Sequence, residues 1–283
     1  MLKARVITAL VLLGGFLAVL FWLPFSGWMV FAGLIAGTGA WEWGGLIKLD
    51  RSSRWGYAAG SMAVCLALAF TIFNPDSGMV VKAQRLAALY AIAVLYWIAA
   101  VPAWLRTKWT LPAGLAGMLV GWVVLVPACL ALMQLRAISP ILLLAAMAAV
   151  WVADIAAYFC GRAFGRHKLA PSVSPGKTWE GAAGALLGVL GYGFISAGFA
   201  GGLASLSNAG LILFGLALVV LTAVSIVGDL FESLAKRQAG VKDSGNLLPG
   251  HGGVLDRIDS LTSTLPLVGL AALLFEGRVQ WLQ

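Results

Sequence analysis

Residues 208–232 read NAGLILFGLALVVLTAVSIVGDLFE, and from Asn208 to Gly228 no side chain is charged. A helix needs about 20 predominantly apolar residues to cross the ~30 Å hydrocarbon core of a bilayer. This run supplies them and ends on Asp229, with Ser233, Lys236 and Arg237 following. On one continuous helix these four positions fall at i, i+4, i+7 and i+8 and share a face. A single segment therefore joins a membrane span to a stripe of carboxylate, hydroxyl and two cations.

Outward from this segment the chain keeps the same character. Of 283 residues, 61% are hydrophobic and 11% charged, against roughly 25% charged in a soluble domain. An aqueous fold could not hide that much apolar surface. Cutting at proline, glycine and charge clusters gives nine spans, about 6–23, 26–47, 55–74, 83–104, 111–135, 138–160, 180–201, 208–232 and 259–276. The fold class expected is all-α, a polytopic transmembrane helical bundle, because a helix satisfies its own backbone in lipid. The first span follows Lys3 and Arg5 but is longer than the ~7–15 apolar residues of a signal core, and no clear small-residue cleavage site follows it. It is read as retained.

With the N-terminus inside, only Lys82, Arg85, Arg136 and Arg278 of the 19 Lys and Arg residues fall outside or at an outer helix end. Cytoplasmic flanks carry such an excess of basic residues, which predicts an N-in, C-out topology. The formal charge of +8 is accounted for by these flanks and calls for no nucleic-acid partner. Trp22, Trp28, Trp55, Trp104, Trp109 and Trp281 lie near span ends, where either a headgroup belt or helix packing accounts for them. Cys65, Cys129 and Cys160 lie in apolar runs without ligand spacing and read as small core hydrophobes. Gly-rich runs at 112–121 and 181–202, with small-xxx-small spacings such as Gly184 to Gly188, predict close helix approach.

Chemically the chain divides into two regions, N-terminal helices over 1–135 and a catalytic region over 136–283. In the first, Glu42 lies between Trp41 and Trp43, within two turns of the cytoplasmic end of its span. It is read as reaching water, with an intramembrane acid as the alternative.

In the second region polar residues cluster at the cytoplasmic ends. Asp154 and Asp229 sit in or at the edge of apolar spans, where an ionised carboxylate costs at least ~2.5–3.5 kcal/mol at the bilayer centre and needs a cation. The Asp229 stripe has the layout of a Mg2+–phosphate site, with carboxylates for the metal and cations for phosphates. Asp256 and Asp259, at i and i+3, add a second carboxylate pair. Ser174-Pro175-Gly176-Lys177-Thr178 reads as a helix start whose free N–H groups bind anions. Gly252 and Gly253, after His251, permit close approach to a polyanion. His251 serves either turn support or proton transfer. His167, in the basic loop with Arg162, Arg166 and Lys168, is read as solvated or near headgroups.

The stretch 233–259, SLAKRQAGVKDSGNLLPGHGGVLDRID, resembles the signature of the phosphatidate cytidylyltransferase family, also called CDP-diacylglycerol synthases. Ser174-Pro-x-Lys-Thr-x-Glu180-Gly181 and Asp154-x3-Tyr158 look like the same family. The resemblance implies Mg2+-dependent transfer of CMP from CTP to phosphatidic acid in the inner leaflet, giving CDP-diacylglycerol and pyrophosphate. It implies Asp229 and Asp256 as catalytic metal ligands, one or two Mg2+ ions with Asp154 and Asp259 as further candidates, and Lys236 as a catalytic cation. Lys177, Arg237, Lys242 and Arg257 would neutralise phosphates, and Ser174, Thr178 and Ser233 would donate hydrogen bonds. A K+ beside the Mg2+ and a homodimer are also implied. The short chain without extensions suggests a bacterial inner membrane, and the predicted topology puts every candidate site residue on the cytoplasmic side. The rivals are a CTP-dependent lipid or polyprenol kinase and an ion-coupled secondary transporter. A transporter binds near the midplane, whereas these ionisable residues lie at one face.

Overall fold

A computed structural model describes residues 2–73, 79–248, 250 and 252–276. Its helices are α1 (Leu2–Trp22), α2 (Phe25–Leu46), α3 (Arg51–Phe73), α4 (Met79–Leu95), α5 (Val101–Thr107), α6 (Gly114–Ile138), α7 (Pro140–Phe164), α8 (Trp179–Phe199), α9 (Asn208–Ala239) and α10 (Leu255–Glu276). Each expected span coincides with a helix to within a few residues at most ends. Among the described residues, seven helical stretches are long and apolar enough to cross a membrane: Arg51–Phe73, Gln84–Thr107, Gly114–Ile138, Pro140–Phe164, Trp179–Phe199, Asn208–Ala239 and Leu255–Phe275. The protein is thus an all-α polytopic membrane protein with one small exception to the helices.

That exception is a hairpin where the sequence predicts a helix start. Ser174–Thr178 is a strand, β2, paired antiparallel with β1 (Lys168–Ala170), with Lys168 opposite Thr178 and Ala170 opposite Ser174. The helix begins one residue later, because Thr178 is the cap. Its Oγ1 accepts the Gly181 N–H at 3.1 Å, leaving Ser174 to Lys177 as extended chain across the end of the bundle. A second irregularity joins α4 to α5, where Tyr96–Ala100 forms a π-helical turn. Pro102 follows it, and a proline ring displaces the carbonyl four residues back, here Ile98.

Two cores hold the bundle. One packs Leu20, Trp28, Cys65, Leu130, Met133, Leu143 and Leu261 between α1, α2, α3, α6, α7 and α10. The other surrounds Phe231 of α9, whose ring lies 5.5–6.1 Å from those of Trp43, Tyr96, Trp97 and Trp104. This second core also takes in Leu49, Leu111, Leu169, Val173 and Leu255. The connections after α2, α5, α7 and α9 therefore gather at one end of the molecule. Trp28 and Trp104 serve packing, while Trp22, Trp55 and Trp109 are exposed. Cys65 and Cys129 are buried free thiols.

Glycines bring helices together where the sequence expects it. Trp43 donates its indole N–H to the Gly117 carbonyl at 2.9 Å, and a side chain at Gly121 would meet Tyr57 and Trp43. On α8, a Cβ at Gly184 would collide with the Cys160 side chain of α7, and one at Gly188 would lie 2.9 Å from Ala156 Cβ. Gly191, on the same helix, faces open space. Gly191→Ala is expected to leave the melting temperature in detergent unchanged or raised, since alanine favours helix by up to ~1 kcal/mol. Gly184→Ala is expected to lower stability by about 1–3 kcal/mol through overpacking. Equal effects at the two positions would show that α7 and α8 do not meet this closely.

Candidate functional site

Close packing of α7 on α8 leaves a cleft of about 470 Å3 between their ends, the hairpin and α9. Asp154, Tyr158 and Arg162 of α7 line it, with Ser174, Lys177 and Thr178 of β2 and Ser225 and Asp229 of α9. The extended strand carries Lys177 over the cleft, where its ammonium contacts the Asp229 carboxylate. Asp154, Asp229 and Asp259 lie within electrostatic reach of one another, with Lys177 and Arg257 as counter-charges to Asp154. Beyond the cleft, Glu180 at the start of α8 accepts the His167 N–H and lies 2.7 Å from its Nδ1. His167 thereby pins the hairpin, although its ring stays exposed.

Beside the cleft lies a second network on α9 and α10. Ser233 donates to Asp229 Oδ1 at 3.4 Å. One turn on, Lys236 Nζ donates to Glu232 Oε2 at 2.7 Å and to Asp256 Oδ1 at 2.6 Å. All three of these charged side chains are at most 12% exposed, so the lysine is first of all the counter-ion of two buried acids. The other oxygen of Asp256 accepts from Ser244 N (2.9 Å), Ser244 Oγ (2.9 Å) and Gly253 N (2.8 Å). Gly252 has φ +80° and a Cβ there would lie 2.7 Å from Asp256 Oδ2. Glycine meets both conditions.

The structure thus unites Asp154, Ser174, Lys177, Thr178 and Asp229 in one cleft. Ser233, Lys236 and Asp256 belong to the adjoining network, and Asp259 lies within electrostatic reach of Asp154, Asp229 and Lys236. Arg237 turns away and donates to the Val241 carbonyl at 3.2 Å, closing the end of α9. Lys242 is exposed and makes no ion pair among the described residues. Gly252 and Gly253 wrap a carboxylate of the protein itself. His251 lies outside the described residues. Arg257 is exposed, and among described residues its guanidinium makes neither an ion pair nor a hydrogen bond. Among the described residues it is the one charged side chain lining a second cavity of about 530 Å3, built mostly from apolar side chains such as Phe16, Ile35, Leu125, Trp151 and Leu261.

One acid at this end goes unnoticed in the sequence, and another is placed there in water. Glu232 is 4% exposed, and its Oε1 has no hydrogen-bond partner among the described residues. Its i, i+4 spacing to Lys236 is the signal that could have found it. Glu42 does not reach water; it is 2% exposed, accepts from Val254 N and Leu255 N, and lies 3.0 Å from Ser244 Oγ, whose one proton it shares with Asp256. Its charge inside an apolar helix is the sequence trace of that role. Set against the partly buried Lys177 and Lys236, the acids here leave an excess of hard oxygen donors. Among the described residues no three His, Cys, Asp or Glu side chains form a ready metal cage. Mg2+ needs none, taking one or two carboxylates and completing its shell with water and phosphate, so this donor set fits an ion that arrives with a polyphosphate.

Over residues 3–275 the sequence matches the model of a family described as the Cytidylyltransferase family. It is 44% identical over 276 residues to the phosphatidate cytidylyltransferase of Pseudomonas aeruginosa, covering 97% of each chain. It is 38% identical over 282 residues to that of Haemophilus influenzae, covering 94% of this chain and 96% of that one. A 137-residue stretch, 47% of this chain and 50% of the other, is 42% identical to the enzyme of Thermotoga maritima.

Replacing Lys236 by methionine leaves Glu232 and Asp256 buried without their cation, at an expected cost of about 3–5 kcal/mol. Lys242→Met, at an exposed position, is expected to stay within ~0.5 kcal/mol. Denaturant unfolding in detergent measures both. A small loss at Lys236 would mean that the two acids are neutral or solvated.

Proposed function

This chain belongs to the cytidylyltransferase family, and from that membership and the shape of its polar end we infer the reaction it performs. It transfers CMP from CTP to phosphatidate, giving CDP-diacylglycerol and pyrophosphate. A phosphate oxygen of the lipid attacks the α-phosphorus of CTP, and the bond to the β-phosphate oxygen breaks as pyrophosphate leaves. The nucleophile is already an anion at neutral pH, so no strong base is needed. Catalysis then rests on positioning and on neutralising charge in a partly desolvated site.

The observation that carries this reading for the site is the Lys177–Asp229 pair at the mouth of the cleft. Lys177 is placed to bind nucleotide phosphates, with Ser174 and Thr178 beside it as hydroxyl donors. Asp229, with Asp154 and Asp259 near it, would hold Mg2+, which when bound supplies positive charge to the phosphates. Arg257 stands between the acidic cluster and the apolar cavity, which suits a lipid whose phosphate meets the arginine while an acyl chain enters the cavity.

On a reading of nine spans, N-in and C-out, this end would lie at the cytoplasmic face of a bacterial inner membrane. The basic flanks and the gathering of four connections at one end support that topology. A homodimer is the assembly the family resemblance implies. The shared name of the relatives favours CMP transfer over a CTP-dependent kinase, and confinement of the site to one end disfavours a midplane transport path.

Purified protein given radiolabelled CTP and phosphatidic acid should place label in chloroform-extractable lipid, and chelating Mg2+ should remove it. Asp229→Asn should lower the rate at least ~100-fold while its melting temperature stays near wild type. Label that forms without phosphatidic acid would overturn the reaction. Near-normal turnover in the variant would remove Asp229 from the site.

A further inference from the structure

We propose that Glu42 of α2 is a positioning residue for the transfer reaction inferred above, setting the orientation of Asp256 through the loop between α9 and α10. Its carboxylate reaches across the bundle to a segment more than 200 residues away in the chain. Oε1 accepts the Val254 N–H at 3.0 Å, and Oε2 accepts the Leu255 N–H at 2.7 Å. These lie at the start of α10, where the first N–H groups of a helix have no internal partner. Val254, immediately before the helix, has no side-chain acceptor to cap them. Glu42 supplies one from another helix, and its negative charge also suits the positive end of the helix dipole.

The same carboxylate is linked to Asp256. Ser244 Oγ lies 3.0 Å from Glu42 Oε2 and 2.9 Å from Asp256 Oδ2, and the Ser244 and Gly253 N–H groups also bond Asp256. The loop is shaped to admit Glu42: a Cβ at Gly245 would lie 2.6 Å from Glu42 Oε1, and one at Gly253 would collide with both carboxylate oxygens. Asp256 in turn holds Lys236, which holds Glu232 on α9. A contact sequence thus runs from Glu42 through Ser244, Asp256 and Lys236 to the helix turn that follows Asp229. Misplacing such a network by ~1 Å can cost about 100-fold in rate.

The test uses full-length protein in detergent with Glu42→Gln, Glu42→Ala, Glu42→Asp and Ser244→Ala. Glutamine presents an NH2 group where one carboxylate oxygen accepted an N–H, so it breaks at least one of the three bonds. The expected result is a fall in kcat of at least ~10-fold with KM for CTP changed under ~3-fold. Partial recovery is expected in Glu42→Asp relative to Glu42→Ala. Amide hydrogen exchange should quicken in peptides covering 244–256 and stay unchanged in α7 and α8. Ser244→Ala should lower kcat less, and adding it to Glu42→Gln should cost less than the sum. Unchanged kcat and unchanged exchange in Glu42→Gln would overturn the proposal, as would a lower melting temperature with full turnover per folded molecule. Should Glu42→Gln fail to fold, Ser244→Ala decides alone, and normal kcat with normal exchange there overturns the link to Asp256. Wild-type protein that labels no lipid would sink the reaction itself, while the exchange data would still judge the loop contacts.

Discussion

Lys236 places one ammonium 2.7 Å from Glu232 and 2.6 Å from Asp256, in a position where all three side chains are nearly closed to solvent. Charges removed from water are costly unless each finds a partner and its remaining hydrogen-bonding capacity is met. Here the partners come from different helices, so electrostatic satisfaction and helix packing are the same problem. The acid on α10 must stand against the lysine on α9, and Phe231, next to Glu232, is enclosed by Trp43, Tyr96, Trp97 and Trp104. Aromatic packing fixes the height of α9, and the ion network fixes what faces it.

This coupling explains why the first and second halves of the chain cannot be separated in the folded molecule, although their chemistry differs. Residues before 135 contribute little to the polar cleft. Yet Glu42 holds the start of α10, and Gln238 at the end of α9 bonds the backbone at Trp109 and Leu111. The quiet helices supply the walls and the cap that let the acidic residues stand where they do.

The sequence reveals the helices because lipid leaves the backbone almost no alternative, so long apolar runs translate directly into helical spans. Close α7–α8 contact is legible too, since Gly184 and Gly188 announce it through their spacing. The hairpin at Ser174–Thr178 is not: Thr178 and Gly181 form the actual cap, but Ser-Pro-Gly just upstream imitates one. Glu42 is hidden for a different reason. Its three donors lie more than 200 residues away, and no local pattern reports so distant a partner. Gly252 and Gly253 show a third kind of ambiguity. Glycines that let a backbone approach an anion look alike whether the anion is a substrate or a carboxylate of the chain, and here Glu42 and Asp256 fill that place.

The Lys177–Asp229 contact has a consequence for how the cleft accepts phosphate. The pair is neutral as it stands, with Asp154 near both of its members and Asp259 near its aspartate. An incoming phosphate can draw the lysine away only by leaving several carboxylates close together, which a partly desolvated site tolerates poorly. A cation arriving with the phosphate would offset that penalty, since the carboxylates could hold the ion while the ammonium met the phosphate. The ion would offset part of the negative charge that the phosphates bring, and an anion arriving without a cation would gain little. Coupled entry of nucleotide and cation would follow from the arrangement of side chains already present at the mouth of the cleft.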